Sequence, residues 1–265
     1  MTEHNGMKPN RLKTLLGQGK YAAGSWVSMC NPLGAEIMGM VGFDWLLVDM
    51  EHGAGDYQTL LSQLQAINAA GDTTVIVRVQ WNDPVVVKRV LDIGAEGVMV
   101  PAIRSAEEAR TAVGSIKYPP EGFRGIAGVR ASRFGQDPTY LKEANGNVAM
   151  FLQIETREAV ENAEEILSVP GIDVAFVGPN DLAADLGHTG DMAHEEVQAA
   201  IKKVEDVANA KGIVLGSVSR NWEQAKALVD KGYRAVSIMG DIPMLIQGAK
   251  GALENFHNHP NVVGN

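Results

Sequence analysis

Glu155 and Asp181 are the residues from which the chemistry of this sequence can be built. Residues 150–154 form a short apolar-rich run that stops at Glu155. Residues 172–177 form a second, which passes through Gly178, Pro179 and Asn180 to Asp181. A strand that is apolar to its end and then offers a carboxylate places that group at the mouth of a sheet or barrel, where parallel β/α proteins keep their chemistry. Two hard oxygen ligands from neighbouring strands suit Mg²⁺ or Mn²⁺, with water and substrate completing the shell. Each acid also has an ordinary use: Glu155 could cap the helix starting at Thr156, and Asp181 could sit in the first turn of the next, because helix N-termini favour acids. Their occurrence as a pair at equivalent strand ends favours the metal.

Other strand ends add to the set. Asp49-Met50-Glu51-His52-Gly53 closes the run 43–50, Arg78 closes 73–79, and Gln153 precedes Glu155. Arg78 follows Val75, Ile76 and Val77, so its cation points into a crowded mouth and requires an anionic partner. That partner is an acid on a neighbouring strand, or a substrate carboxylate or enolate. Asp49 lies three residues before His52, and a carboxylate that orients a histidine is the support a general base requires. His4, His188, His194, His257 and His259 fall in tails or helices and carry no expectation. No lysine stands at a strand end, so a Schiff-base route lacks its nucleophile. A metal-assisted enolate route remains.

These side chains converge only if the strands do. Eight strands are expected at 21–28, 43–50, 73–79, 97–103, 150–154, 172–177, 213–219 and 234–239. Eight main helices alternate with them, at 32–41, 56–70, 83–93, 105–117, 156–169, 193–210, 221–230 and 242–257, and a short one follows strand six. Asp83 with Pro84 and the Ser105-Ala106-Glu107-Glu108 capping box mark two of the helix starts. Buried, non-alternating strands interleaved with helices predict a parallel sheet, and eight units in a chain of this length predict a single (β/α)₈ TIM barrel over 1–265. An open doubly wound sheet is the alternative, but no G-x-G-x-x-G follows the first strand. Residues 1–10 are expected to be a loose tail. Residues 118–147, with Arg124, Arg130 and Arg133, are expected to be a long loop that leaves from the face opposite the metal and is free to meet a neighbouring subunit.

Bulk properties set limits. The chain has 265 residues, 45% hydrophobic and 21% charged, with a net charge of −9. The charge and the lack of a basic run argue against a nucleic-acid partner. No apolar stretch approaches the roughly 20 residues of a membrane span. The start MTEHNGMKPNRLK lacks the apolar core of a signal peptide. The single cysteine excludes an internal disulfide. A cytoplasmic location is the expectation.

The segments FDWLLVDMEHGAGD, RVQWNDPVVVKRVLDIGAEGVMVPAI, YPPEGFRG, FLQIET and FVGPNDLAADLG resemble, in order and over about residues 24–241, the HpcH/HpaI family of class II pyruvate aldolases. Its members include aldolases of 4-hydroxy-2-oxoheptanedioate and of 2-keto-3-deoxy sugar acids. The resemblance implies a divalent metal (Mg²⁺, Mn²⁺ or Co²⁺) on Glu155 and Asp181, with Gln153 holding a metal-bound water or the ligand. It puts Arg78 on the keto oxygen and gives His52, with Asp49, the proton transfers. It brings Asp92 in from a neighbouring subunit. Gly178 and the amides of Asn180 and Asp181 surround the substrate carboxylate, and Trp26 and Val218 border the aldehyde half. The implied reaction is reversible cleavage of a 4-hydroxy-2-oxoacid to pyruvate and an aldehyde through a pyruvate enolate. The implied assembly is a hexamer, a trimer of dimers with exchanged terminal helices. Oxaloacetate decarboxylation and acyl-CoA lysis at the same enolate site are the enzymatic alternatives. A ligand-binding barrel without turnover is the non-catalytic one. Met50 departs from the family pattern, in which a small residue is more usual.

Overall fold

The computed structural model describes residues 7–259. The chain opens with helix α1 (Arg11–Gly17) and strand β1 (Ala22–Val27), then α2 (Pro32–Val41), β2 (Trp45–Asp49), α3 (Tyr57–Ala70) and β3 (Thr74–Arg78). It continues through α4 (Pro84–Ile93), β4 (Gly97–Val100), α5 (Ala106–Ile116), α6 (Tyr140–Asn147) and β5 (Ala149–Ile154). Two short helices follow, α7 (Arg157–Glu161) and α8 (Ala163–Ile166), then β6 (Val174–Val177) and α9 (Pro179–Asp185). The last units are α10 (Glu195–Lys211), β7 (Val214–Ser219), α11 (Trp222–Asp230), β8 (Ala235–Gly240) and α12 (Asp241–His257). The eight strands are parallel, pair in sequence order and close between β8 and β1. This is the expected (β/α)₈ barrel.

Strand alternation divides the core into two layers. Inward residues, including Trp45, Leu47, Ile76, Met99, Phe151 and Phe176, fill the barrel. Outward residues such as Leu46, Val48, Val75, Val77, Val98 and Leu152 pack against the helices. Trp45 fits because Gly24 faces it: a Cβ at Gly24 would lie 2.0 Å from the indole. Polar side chains start the helices, the expected caps Asp83 and Ser105 and also Asn31, Asp56, Thr156 and Asn221, each accepting from amides of the first turn.

Three expectations are corrected. Residues 1–6 lie outside the described part, but the end of the expected tail is ordered. Asn10 is 2% exposed, caps α1 and donates to the Glu96 carbonyl. Leu12 and Leu16 of α1 then join the barrel interior and close its N-terminal end. The amphipathic signal was too short to mark this seven-residue helix. Residues 118–147 are not one open loop, because they contain a cis Pro119–Pro120 bond, a 3₁₀ turn at Arg130–Ser132 and α6. Two of their arginines hold the segment to its own barrel: Arg124 donates to Asp92 at 2.9 Å and Arg130 to the Ile93 carbonyl at 2.8 Å. Finally, the helix expected over 156–169 is broken at Asn162, whose side chain leaves the helix to bond the Arg104 carbonyl.

Candidate active site

The C-terminal ends of β2, β3, β5 and β6 meet at one side of the barrel mouth. Asp49 and Arg78 are direct cross-strand partners, the last residues of β2 and β3. Both are buried, and they form a bidentate pair: Arg78 Nε lies 2.9 Å from Asp49 Oδ1 and Nη2 lies 2.7 Å from Oδ2. Nη1 is 2.8 Å from Glu51 Oε2, and the guanidinium carbon sits 4.4 Å from the centre of the Trp26 ring. Two of the five N–H groups bond Asp49 and Nη1 is ion-paired with Glu51, so donors on the two Nη nitrogens remain for a ligand.

This geometry corrects the reading of Asp49. Its carboxylate holds Arg78, not the His52 ring. Toward His52 it accepts only a backbone amide, at 3.3 Å. The imidazole is 70% exposed, with Nε2 at 3.9 Å from Glu51 Oε2. Spacing alone misled here, because the chain turns after β2 and presents the His52 backbone, not its ring, to Asp49.

Glu155 follows β5 immediately. Its Oε1 accepts the Ala102 amide at 2.8 Å, and its Oε2 accepts Gln153 Nε2 at 2.6 Å. Ala102 takes a left-handed conformation, φ 51°, in presenting that amide. Gly178 is required on the other side: a Cβ there would lie 2.5 Å from Glu155 Oε2. Asp181 stands in the first turn of α9, near enough that its charge raises the Glu155 pKa. Burial is the larger cause, and together with Asp181 and Glu51 it lifts the Glu155 carboxyl to about 7. Burial likewise raises the Glu51 carboxyl, against the opposing pull of Arg78.

Four carboxylates, Asp49, Glu51, Glu155 and Asp181, thus surround one guanidinium. A divalent cation between Glu155 and Asp181 would relieve that excess. The donor set fits a hard cation: carboxylate oxygens, plus Gln153 Oε1, which is buried and has no hydrogen-bond partner. Trp26 Nε1 is also buried and unpartnered. Both residues line a cavity of about 730 Å³ whose wall also includes His52, Arg78, Asn180 and Val218. An adjoining cavity of about 370 Å³ is lined by Glu51, Glu155 and Asp181. Orphaned polar atoms in a cavity wall mark where a ligand completes the bonding.

The expected site residues are therefore gathered at one mouth, with one exception. Asp92 lies near the end of α4, at the opposite end of the barrel, bonded to Arg124. Glu51, Ala102 and Arg220 at this mouth went unassigned from sequence. Glu51 had a signal, since it stands two residues beyond Asp49.

His188, His194 and Glu196 bring ligand atoms within 4.8 Å of one another between α9 and α10. The two imidazoles are stacked, with centres 3.5 Å apart and planes 14° from parallel. Nearly parallel rings cannot both direct an in-plane lone pair at one ion about 2.0–2.1 Å from each nitrogen. His194 Nδ1 instead caps α10 by accepting the Glu196 amide, and His188 bonds the Glu196 carboxylate at 2.8 Å. The cluster fastens α9 to α10.

Fold and site define a barrel whose carboxylate-rich mouth lies at the C-terminal ends of its strands, where barrel enzymes keep their chemistry. The chain belongs to the HpcH/HpaI aldolase/citrate lyase family, which it matches over residues 22–247, and it is a carbon–carbon lyase. The family is one of metal-dependent aldolases and lyases. The chain is 41% identical over 259 residues to a 4-hydroxy-2-oxo-heptane-1,7-dioate aldolase of Klebsiella pneumoniae subsp. pneumoniae, an alignment that covers 97% of each chain. A crystal structure of a family protein from Burkholderia cenocepacia superposes with a TM-score of 0.91 at 37% identity, covering 94% of this chain and 100% of that one. The citrate synthase SbnG gives a TM-score of 0.84 at 26% identity, covering 93% of this chain and 97% of that one.

Proposed function

We propose that the chain reversibly cleaves a 4-hydroxy-2-oxoacid to pyruvate and an aldehyde, with Mg²⁺, Mn²⁺ or Co²⁺ held by Glu155 and Asp181. The observation that carries this reading is Arg78. It is locked between Asp49 and Glu51, yet its guanidinium lines a cavity shared with Gln153 and Asp181.

When bound, the cation supplies Lewis-acid polarisation of the substrate's oxo group. The protein's own groups do the rest. The amides of Asn180 and Asp181 open α9 and lack intrahelical acceptors, so they receive the substrate carboxylate. The free N–H groups of Arg78 face the keto oxygen. Loss of the 4-hydroxyl proton makes C4 a carbonyl and breaks C3–C4. The bonding pair moves into the C2–C3 bond and onto the keto oxygen, where Arg78 meets the enolate charge. Protonation at C3 gives pyruvate. His52, exposed where both cavities meet, exchanges these protons through water. Trp26 and Val218 border the space left for the aldehyde.

The assembly belongs to the same reading. Leu245, Ile246, Leu253 and Phe256 of α12 are all about half exposed or more, as are Leu33, Ile37, Met40 and Val41 of α2. Such apolar surface suits burial against further copies, and a hexamer built as a trimer of dimers would bring Asp92 of one copy toward the mouth of another. Among the described residues no helix is long and apolar enough to cross a membrane, and we place the enzyme in the cytoplasm with a small-molecule oxoacid as its partner.

A panel of 4-hydroxy-2-oxoacids, including the heptanedioate and 2-keto-3-deoxy sugar acids, together with oxaloacetate, assayed for pyruvate with each metal, tests the proposal. Metal-dependent pyruvate release with a matching aldehyde is expected. Pyruvate from oxaloacetate alone would assign decarboxylation instead, and no pyruvate from any member would leave a binding barrel.

A further inference from the structure

The two acids proposed to hold the metal are braced unequally. Glu155 is buried, and its two oxygens accept the Ala102 amide at 2.8 Å and Gln153 Nε2 at 2.6 Å. Asp181 is exposed, and among the described residues no hydrogen bond or ion pair falls on its carboxylate. Its direction is therefore inherited from its helix. That helix, α9, has seven residues and no side-chain cap on its first turn. Leu182 and Ala183 bury one face of it. Asn180 and Asp181 lie on the exposed side. There, among the described residues, one side-chain bond reaches the first turn: Arg220 Nη2 donates to Asn180 Oδ1 at 2.9 Å.

Arg220 is itself fixed. It directly follows β7, its amide donates to Gln224 Oε1 at 2.9 Å, and the adjacent Asn221 caps α11. No carboxylate lies within ion-pair distance of its guanidinium among the described residues, so Asn180 is its side-chain partner. The turn between β7 and α11 is thereby tied to the residue next to Asp181. Partners that fix the direction of a metal ligand are worth about 10- to 100-fold in metal affinity when they bond the ligand itself. Arg220 acts from one residue away, through an exposed bond, so its share is smaller.

We propose that Arg220 is a positioning residue for the metal site: by holding Asn180 it fixes the first turn of α9 and so aims the carboxylate of Asp181. This rests on the reading that Glu155 and Asp181 bind the cation. The sign of the effect separates positioning from charge. A guanidinium beside the site repels a divalent cation, so on charge alone the loss of Arg220 tightens metal binding. On positioning, its loss weakens binding.

Calorimetric titration of Mn²⁺ into metal-stripped protein, without substrate, tests it. Arg220→Ala should weaken Mn²⁺ binding by roughly three- to tenfold, less than the loss of a partner bonded to the ligand. Asn180→Ala should do the same. The double variant should bind no more weakly than either single one, because both changes cut one tether. Arg220→Lys, which keeps a donor, should recover part of the affinity. The melting temperature of the metal-stripped variants should stay within a few degrees of wild type, since both side chains are exposed. Unchanged or tighter binding in Arg220→Ala would overturn the proposal. So would losses that add in the double variant, which would mean that Arg220 does not act through Asn180. If wild type binds no Mn²⁺, or Asp181→Ala binds it as wild type does, the metal assignment itself has failed and the proposal falls with it, a result read before any Arg220 variant is made.

Discussion

Arg78 and Asp49 face each other in register at the ends of β3 and β2, and their side chains meet as a buried bidentate pair, 2.9 and 2.7 Å. A planar guanidinium gripped on one edge has its remaining donors fixed in direction. In the proposed reaction such a cation is in place before the substrate arrives and needs no reorganisation.

The first prediction follows from that grip. Asp49→Asn removes the charge but keeps the shape, so Arg78 loses its anchor while the fold survives. Turnover should fall roughly 10- to 100-fold, in line with loss of a partner that orients a ligand-binding group. The pH at which activity rises should not move, because Asp49 does not hold the His52 ring. A steady-state pH profile checks this; a displaced limb with turnover retained would return Asp49 to the role of histidine support.

Gly178 offers a steric test of the metal site. Its φ of −96° suits alanine, so the backbone is not strained by the change. The new Cβ would, however, crowd Glu155 Oε2 at 2.5 Å. Gly178→Ala should weaken Mn²⁺ binding by roughly tenfold or more, as expected when a neighbour that orients a metal ligand is disturbed, while the melting temperature of chelated protein stays within a few degrees. Titration calorimetry with Mn²⁺ reads it, and wild-type affinity would remove Glu155 from the metal's ligands.

The raised Glu155 pKa sets a pH dependence for the metal-free protein. Its folded value of about 7 exceeds the ordinary 4.5, so the folded state binds the extra proton between those limits. This contribution is present below pH 4.5 and is lost as pH rises through 7, by up to about 3 kcal/mol. Wild type in excess EDTA should lose stability against urea over that window relative to Glu155→Gln, which carries no such proton. Added Mn²⁺ should flatten the difference. Identical pH profiles for the two proteins without metal would contradict the assignment.

The apolar face of α12 predicts association. Leu245 is 63% exposed and Ile246 49%. Leu245→Glu with Ile246→Glu should shift the light-scattering mass of the wild-type oligomer toward smaller species at micromolar concentration. A wild-type monomer, or an unshifted double variant, would sink this.

Much of the barrel was legible in the sequence because buried strands and capped helices leave strong local patterns. The apolar runs ending at Glu155 and Arg78 needed no tertiary knowledge, and closure of the ring follows from counting. What stayed hidden was decided between elements. Which acid holds Arg78 depends on the register of β2 against β3 and on the turn after Asp49, and the sequence distance from Asp49 to His52 gave the wrong partner. The Ala102 amide on Glu155 comes from a left-handed turn in an apolar segment that carries no residue-type signal. Arg220 carried no expectation, because a cation acquires meaning only when the cavity beside it is known. α1 was too short for its two buried leucines to show periodicity.

Solvent deuterium exchange into the methyl group of pyruvate tests the central claim most directly, because it follows enolate formation without any aldehyde. Wild type with Mn²⁺ should exchange, and EDTA should stop it. Arg78→Lys, which keeps a charge opposite Asp49 and so avoids leaving a buried carboxylate unpaired, should exchange roughly 10²-fold more slowly, the loss expected when a placed oxyanion donor is removed. Pyruvate binding should change far less, since the ketone is neutral and only the enolate carries the charge that Arg78 meets. Exchange in Arg78→Lys at the wild-type rate, or exchange undiminished in EDTA, would contradict an enolate stabilised between Arg78 and a metal on Glu155 and Asp181.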